Sequence, residues 1–155
     1  QNVSEAEHIR YDAGDAVIGD KDDIYNVLLR ARDMTAFTGQ KDAAQSMQAF
    51  VRVANIARKS AAETIYPERF HIAEEMALYQ AYTSTKSAVE SLVSGEDFEG
   101  AIDALTELAA PIDAFFDNVM VMDKDEMIRE NRLALLRGVD AVIRDVADFT
   151  KIVSA

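Results

Sequence analysis

A helical segment with bases but no acids is the first feature of this sequence that could do chemistry. Residues 43–62 contain no Asp or Glu, and their bases are Arg52, Arg58 and Lys59. At about 100° per residue, Arg52, Asn55 and Lys59 lie on one face of a helix, opposite an apolar stripe. Such a face offers cations to phosphates and an amide to exposed bases, which suits contact with RNA. From the charges alone, an ordinary solvated helix surface is the favoured interpretation, and contact with RNA is the alternative.

The last predicted helix carries a second set of bases. Arg137, Arg144 and Lys151 recur every seven residues, opposite an apolar seam, and this spacing favours a solvated face. Asn131 instead lies near the seam, so it is predicted to be a buried hydrogen-bonding residue. The hypothesis is that its amide satisfies backbone carbonyls freed by a helix kink at Pro111.

A catalytic or metal site is weakly represented in the sequence. His8 and His71 are the two histidines, and Glu74 and Glu75 follow His71 at helical spacings of three and four. This spacing could supply metal ligands in a helical bundle, but no second histidine-containing motif exists, and a surface histidine paired with a glutamate is favoured. There is no glycine-rich phosphate loop and no Ser-His-Asp combination. We therefore predict no catalytic residue, no metal site and no cofactor in this segment.

Composition excludes several further classes of protein. The 155 residues include no cysteine, so disulfide scaffolds and zinc-thiolate sites are excluded. No run of about 18 or more apolar residues is present, so no membrane-spanning helix or membrane partner is predicted. With 16 Lys and Arg against 28 Asp and Glu, the formal net charge is −12. Any contact with a nucleic acid must therefore come from a local basic patch.

The elements that position these residues all read as helices. Hydrophobic periodicity predicts an all-α fold, a single bundle of five to six helices, with a loop over residues 61–67. Residues 1–40 are predicted to be a helical lead-in packed on the bundle, and residues 41–155 the main helical domain. The helices are predicted at 4–18, 22–37, 41–59, 68–94, 97–121 with a kink at Pro111, and 125–152.

Several motifs, taken together, resemble one known family. Residues 111–122 (PIDAFFDNVMVM), 129–136 (RENRLALL) and 146–149 (VADF) closely resemble the C-terminal end of the β subunit of bacterial heterotetrameric glycyl-tRNA synthetase. Residues 50–59 (FVRVANIARK) resemble that family's Arg-Val-x-Asn-Ile helix. Shorter matches occur earlier and between these motifs. The resemblance covers most of the chain in order, and the FFDNVMVM run is its most specific part.

The resemblance implies an all-α anticodon-binding domain, similar to the DALR-type domain of arginyl- and cysteinyl-tRNA synthetases. Its expected partners are the anticodon region of glycine tRNA, the α subunit, and the remaining domains of the β subunit, all in the cytoplasm. The aminoacylation site, with its ATP and Mg²⁺, is expected in the α subunit. This segment is therefore expected to be part of a ligase without holding the active site.

The position of each motif implies which residues contact RNA. Arg52, Asn55, Arg58 and Lys59 are the first candidates, and Arg129 and Arg132 are the second. A charge of −12 repels a polyanion, and two explanations are available. The acids lie away from the RNA face and discourage wrong binding modes, or the domain binds weakly alone and gains affinity from the rest of the synthetase; we favour the second. The alternative function is a structural helical domain that packs on other domains or subunits without touching RNA.

Overall fold

The computed structural model describes residues 43–151, and within that range the chain folds into α-helices joined by short turns. The all-α prediction is confirmed. Two short 3-10 helices, Pro67–Arg69 and Phe149–Lys151, accompany the α-helices. The α-helices are α1 (Ala43–Ala57), α2 (Ala73–Ser94), α3 (Phe98–Thr106), α4 (Ala109–Asn118) and α5 (Glu126–Arg144).

The starts of three helices follow from local side-chain chemistry. Asp97 accepts the backbone N–H of Gly100 at 2.9 Å, and Asp125 accepts that of Met127 at the same distance. Each carboxylate satisfies an amide that has no partner in the first helical turn. The Glu75 carboxylate accepts the N–H of Ile72, the residue that precedes α2, at 2.9 Å. These caps place α2, α3 and α5 within a few residues of their predicted starts.

The predicted kink at Pro111 is wrong, because the chain breaks before this residue rather than bending at it. The single helix predicted over 97–121 is two helices, α3 and α4, and Pro111 is the third residue of α4. In a continuous helix its ring would clash with the carbonyl of residue 107. In the first turn of α4 the missing proline N–H has no helical partner to lose, so the residue is well tolerated.

The last helix ends earlier than the predicted boundary at 152, for a tertiary reason. α5 ends at Arg144, and the chain then turns so that Phe149 packs on Phe50 of α1, with 5.0 Å between ring centroids. Helical periodicity alone continues past this point, whereas packing against α1 determines where the helix stops.

The core lies between two groups of helices that share α4 and α5. α1 packs against α5, α4 and the C-terminal 3-10 helix, while α2 packs against α3, α4 and α5. Phe115 is fully buried and its neighbour Phe116 is partly exposed. The seam predicted along the last helix is also buried. Its described members are Leu135, Val139, Val142, Val146 and Phe149.

Asn131 is buried as predicted, but its partner is not the one proposed from the sequence. Its Oδ1 accepts the N–H of Tyr66 at 2.7 Å, and its Nδ2 donates to the Tyr66 carbonyl at 3.0 Å. The break before Pro111 leaves no kinked helix for it to satisfy. Instead, the amide holds the segment between α1 and α2, which includes the loop predicted over residues 61–67, against α5.

The remaining predictions about organisation concern parts of the chain that are not described. Residues 1–40, with the helices predicted at 4–18 and 22–37, lie outside the described range, so the division into a lead-in and a main domain stays a prediction. Across residues 43–151, none of the helices is both long enough and apolar enough to cross a bilayer.

Candidate nucleic-acid interface

The exposed face of α1 is formed as the sequence predicts. Arg52, Asn55 and Lys59 are all exposed, while Phe50 and Val53 on the opposite side are buried. Within residues 43–151, neither Arg52 nor Lys59 forms an ion pair with a carboxylate. We call Arg52, Asn55 and Lys59 the α1 face. It presents two cations and an amide to solvent.

Arg52 is held in place by an aromatic ring on α4. Its guanidinium carbon lies 4.1 Å from the centroid of the Phe116 ring, which is a cation–π contact. Nearby on the same two helices, Gln45 Nε2 donates to Asp113 Oδ2 at 3.3 Å. Arg52 is exposed even with this contact, so its guanidinium remains accessible to a ligand.

Arg58 lies at the surface, but its guanidinium is engaged in contacts within the protein. All five of its N–H donors are used: Nε and Nη2 donate to Asp140, Nη1 and Nη2 to Asp148, and Nη1 to Thr150. The shortest contacts, to Asp140 and Asp148, are 3.1 Å. This network joins the end of α1 to α5 and to the C-terminal turn, so no donor of Arg58 is left for a phosphate.

The same network perturbs the ionisation of its members. Burial disfavours the charged form of Asp148, but hydrogen bonds from Thr150 and Arg58 outweigh burial and lower the pKa of this carboxyl. Burial also opposes the charge of Arg58, and the hydrogen bonds to Asp140 and Asp148 outweigh it and raise the arginine pKa. Both groups are therefore charged at neutral pH and bound to each other.

Arg132 lies in the interior and joins α5 to α2. Its side chain is 4% exposed, and it donates to both carboxylate oxygens of Glu75, at 3.1 and 3.3 Å. Its Nη1 also donates to the Met120 carbonyl at 2.7 Å. Such a bidentate, buried pair leaves no part of the guanidinium for RNA. The structure therefore gives Arg132, named above as a second-rank RNA contact, a role in holding helices together.

Glu75, the partner of Arg132, is ionised despite its burial. Burial raises its pKa, but the hydrogen bonds from Arg132 and from the amides of His71 and Ile72 outweigh that effect, and the net pKa is lowered. The carboxylate considered as a metal ligand with His71 is thus bound to an arginine. Within the described part of the chain, no group of three or more His, Asp or Glu side chains is arranged to hold a metal ion.

Arg129 takes an intermediate position between these cases. Its side chain is 28% exposed, its Nη1 donates to the Asp123 carbonyl at 3.2 Å, and its Nε lies 3.8 Å from a Glu130 oxygen. These contacts, like those of Arg132, are made to α5 itself, to the preceding loop and to α2. None of them reaches the α1 face.

Two side-chain contacts near the site were missed by sequence reasoning. Arg137, interpreted as a solvated base, donates from Nη1 to the Ala62 carbonyl at 2.6 Å. The guanidinium carbon of Arg69 lies 4.0 Å from the centroid of the Tyr66 ring. Like the contact between Arg52 and Phe116, the Arg137 contact joins residues distant in sequence, and no local pattern indicates it.

Comparison with known proteins agrees with this architecture. The model of the family described as "DALR anticodon binding domain" matches residues 46–153. The glycine–tRNA ligase beta subunit of Moorella thermoacetica is 35% identical over 99% of this chain, and that of Rhodospirillum centenum is 36% identical over 93%. The matched region covers 22% of each of these relatives, so the chain spans about a fifth of their length. Since the family model matches well over half of its residues, the chain belongs to the DALR anticodon binding domain family.

Proposed function

We propose that this chain is the anticodon-binding module of a glycine–tRNA ligase β subunit and that it binds the anticodon region of glycine tRNA. The observation that carries the proposal is the α1 face, in which Arg52 is stacked on Phe116 and remains exposed. Membership of the DALR family and the similarity to glycine–tRNA ligase beta subunits support the choice of ligand.

The α1 face suits single-stranded loop bases, which are the part of RNA that proteins can read. A base splayed from the anticodon loop stacks on the side of the Arg52 guanidinium that faces away from the Phe116 ring. Asn55 offers an amide to a base edge, and Lys59 offers a cation to a phosphate. Arg129, which is partly exposed, is a second-rank contact, while Arg58 and Arg132 act by fixing the helices.

The chemistry of aminoacylation lies elsewhere in this proposal. The α subunit holds ATP, Mg²⁺ and the glycine site, and the remaining β-subunit domains connect it to this module in the cytoplasm. We propose no catalytic residue and no cofactor among the residues of this chain. Its contribution is to hold the anticodon end of the tRNA while the acceptor end reaches the α subunit.

A structural domain that does not touch RNA is the second candidate function. One observation favours it: Arg58 and Arg132, two of the six candidate residues, are engaged in intramolecular ion pairs. The net charge of −12 also disfavours strong binding of a polyanion by the isolated module. The two candidate functions differ in the role of the α1 face. Anticodon binding requires Arg52 to contact RNA, whereas a structural domain does not.

Binding of tRNA by the chain, measured at about 50 and 200 mM salt, tests the proposal. Glycine tRNA is compared with the same tRNA carrying altered anticodon bases. Weaker binding of the altered tRNA supports an anticodon reader, and the salt slope counts the phosphates contacted. Equal affinity for the two tRNAs contradicts base recognition by this chain. If neither binds, aminoacylation by the whole ligase with and without Arg52→Ala decides, since the structural role predicts no difference between the two enzymes.

A further inference from the structure

A carboxylate borders the α1 face on the side of α4. Asp113 precedes Phe116 by three residues in α4, and side chains at this spacing are neighbours, with about 5–6 Å between their Cβ atoms. The guanidinium carbon of Arg52 lies 4.1 Å from the centroid of the Phe116 ring. Asp113 therefore lies beside the ring on which this arginine is stacked, next to a face whose own charged residues are cations.

Gln45 binds one oxygen of the Asp113 carboxylate. Its Nε2, in the first turn of α1, donates to Oδ2 at 3.3 Å. Gln45 and Arg52 are seven residues apart, about two helical turns, so both lie on the same side of α1. Within residues 43–151, Oδ1 of Asp113 accepts no hydrogen bond, and the carboxylate forms no ion pair. The residue is partly exposed, and one of its oxygens is available to a ligand.

The chemistry of this carboxylate differs from that of the α1 face. An ionised carboxylate only accepts hydrogen bonds, Arg52 and Lys59 only donate them, and the Asn55 amide can turn either its oxygen or its nitrogen toward a ligand. Because a carboxylate repels phosphates, the part of RNA that suits it is an N–H group of a base. Cytosine carries an amino group at N4, where uracil carries the acceptor oxygen O4. Asp113 is therefore suited to distinguish cytosine from uracil, whereas the cations meet the same O2 acceptor in both bases.

We propose that Asp113 determines base specificity, and that its Oδ1 accepts a hydrogen bond from the N4 amino group of an anticodon cytosine. All glycine codons begin with two guanines, so the anticodons that pair with them share two cytosines. One of these cytosines, splayed from the loop, presents its amino group to Asp113, while Gln45 keeps the carboxylate against α1. The inference rests on the proposed function and names the base that the α1 face selects.

Aminoacylation by the whole ligase tests the inference, because the ratio of kcat/KM values measures how an enzyme distinguishes two substrates. Glycine tRNA is compared with two altered versions, in which one anticodon cytosine or the other is replaced by uracil. In Asp113→Asn the amide nitrogen can donate to O4 of uracil. We therefore expect the preference for cytosine to fall about tenfold at one of the two positions. Urea unfolding verifies that the variant is folded.

Asp117→Asn is the matched control. Asp117 is exposed, lies next to Phe116 in the same helix, and has no hydrogen bond to α1 within the described residues. The substitution removes the same charge, and we expect the preference for cytosine to be unchanged. An equal fall in this variant reduces the effect to local charge and overturns the proposal. An unchanged preference in Asp113→Asn also overturns it, as does an equal fall at both positions, because one oxygen serves one amino group.

Arg52→Ala separates failure of this inference from failure of the proposed function. If Arg52→Ala lowers kcat/KM and Asp113→Asn leaves the preference for cytosine unchanged, the α1 face binds the anticodon but Asp113 does not select the base. That result overturns this inference alone. If Arg52→Ala has no effect and neither cytosine affects aminoacylation, the proposed function fails and this inference fails with it.

Discussion

Arg132 and Glu75, which are 57 residues apart in the sequence, form a bidentate ion pair in the interior of the bundle. The pair joins the start of α2 to the first half of α5. Glu75 also accepts the amides of His71 and Ile72, each at 2.9 Å, so one carboxylate both caps α2 and binds the arginine. With the Met120 carbonyl bound to the same guanidinium, three segments of the chain depend on this contact.

Replacement of Arg132 should therefore reduce stability strongly. In Arg132→Met the Glu75 carboxylate stays buried without its cation, and we expect a loss of about 3–5 kcal/mol in the free energy of unfolding. Urea unfolding followed by circular dichroism measures it. The double variant Arg132→Met with Glu75→Gln should recover part of the loss, because the buried charge is then gone. If Arg132→Met loses less than about 1 kcal/mol of unfolding free energy, the ion pair with Glu75 does not hold α2 and α5 together.

The lowered pKa of Glu75 makes stability depend on pH with a definite sign. In the unfolded chain this carboxyl binds protons more readily than in the folded one, so its stabilising contribution is complete above its ordinary pKa of 4.5. The contribution is lost as the pH falls through the lower folded-state pKa. We expect the difference in unfolding free energy between the unmodified chain and Glu75→Gln to shrink as the pH decreases below 4.5. Urea midpoints at several pH values measure this difference, and a constant difference is inconsistent with a lowered pKa.

Arg58 should affect stability rather than only RNA binding. In Arg58→Gln, the carboxylates of Asp140 and Asp148 lose their cation while both residues remain buried, and we expect a loss of about 2 kcal/mol. Lys59→Gln is the matched control, since Lys59 is exposed and has no ion pair within residues 43–151. Its expected change is within about 0.5 kcal/mol. If Arg58→Gln and Lys59→Gln unfold at the same urea midpoint, the contacts of Arg58 do not stabilise the C-terminal turn.

Asn131 gives a test of how the loop is attached. In Asn131→Leu, the N–H and the carbonyl of Tyr66 both lose their partner, which we expect to cost about 1–3 kcal/mol. Hydrogen exchange at the Tyr66 amide should accelerate more than exchange at the amide of Val139 in the middle of α5. Unchanged exchange at Tyr66 would mean that other contacts hold the loop.

Sequence patterns predicted the parts of this fold that depend on local chemistry. The apolar seam of the last helix and the exposed α1 face follow from helical periodicity. The burial of Asn131 follows from its place beside that seam. The sequence did not predict that residues 97–121 form two helices, α3 and α4. A proline in the middle of a helix causes a kink, whereas a proline in the first turn marks a helix start, and the sequence pattern alone does not distinguish these two positions.

The roles of the arginines could not be predicted, because arginine has the same sequence signature on a surface and in a buried pair. Arg52, Arg58 and Arg132 look alike in the sequence. One is stacked on Phe116, one is bound to Asp140 and Asp148, and one is buried against Glu75. Their partners come from other helices, so only tertiary packing distinguishes a cation that can bind RNA from one that holds the fold.

Among the candidate residues, Arg52 should have the largest effect on tRNA binding with the smallest effect on stability. In Arg52→Ala we expect the binding free energy for glycine tRNA to be about 1–3 kcal/mol weaker. If Arg52 also contacts a phosphate, the slope of log affinity against log salt concentration should decrease by about one unit. Filter binding or fluorescence anisotropy measures both quantities, and urea unfolding verifies that the variant is folded.

Two further variants separate the stacking geometry of Arg52 from its charge. Phe116→Leu keeps the charge but removes the ring 4.1 Å below the guanidinium, so we expect a smaller loss of affinity than in Arg52→Ala and an unchanged salt slope. Lys86→Ala removes an exposed positive charge from α2 and serves as the control for net charge. If Lys86→Ala weakens tRNA binding as much as Arg52→Ala does, the effect comes from overall charge and the α1 face does not contact the RNA. If Arg52→Ala alone weakens binding and Phe116→Leu follows it in part, then the ring positions the arginine that the RNA contacts.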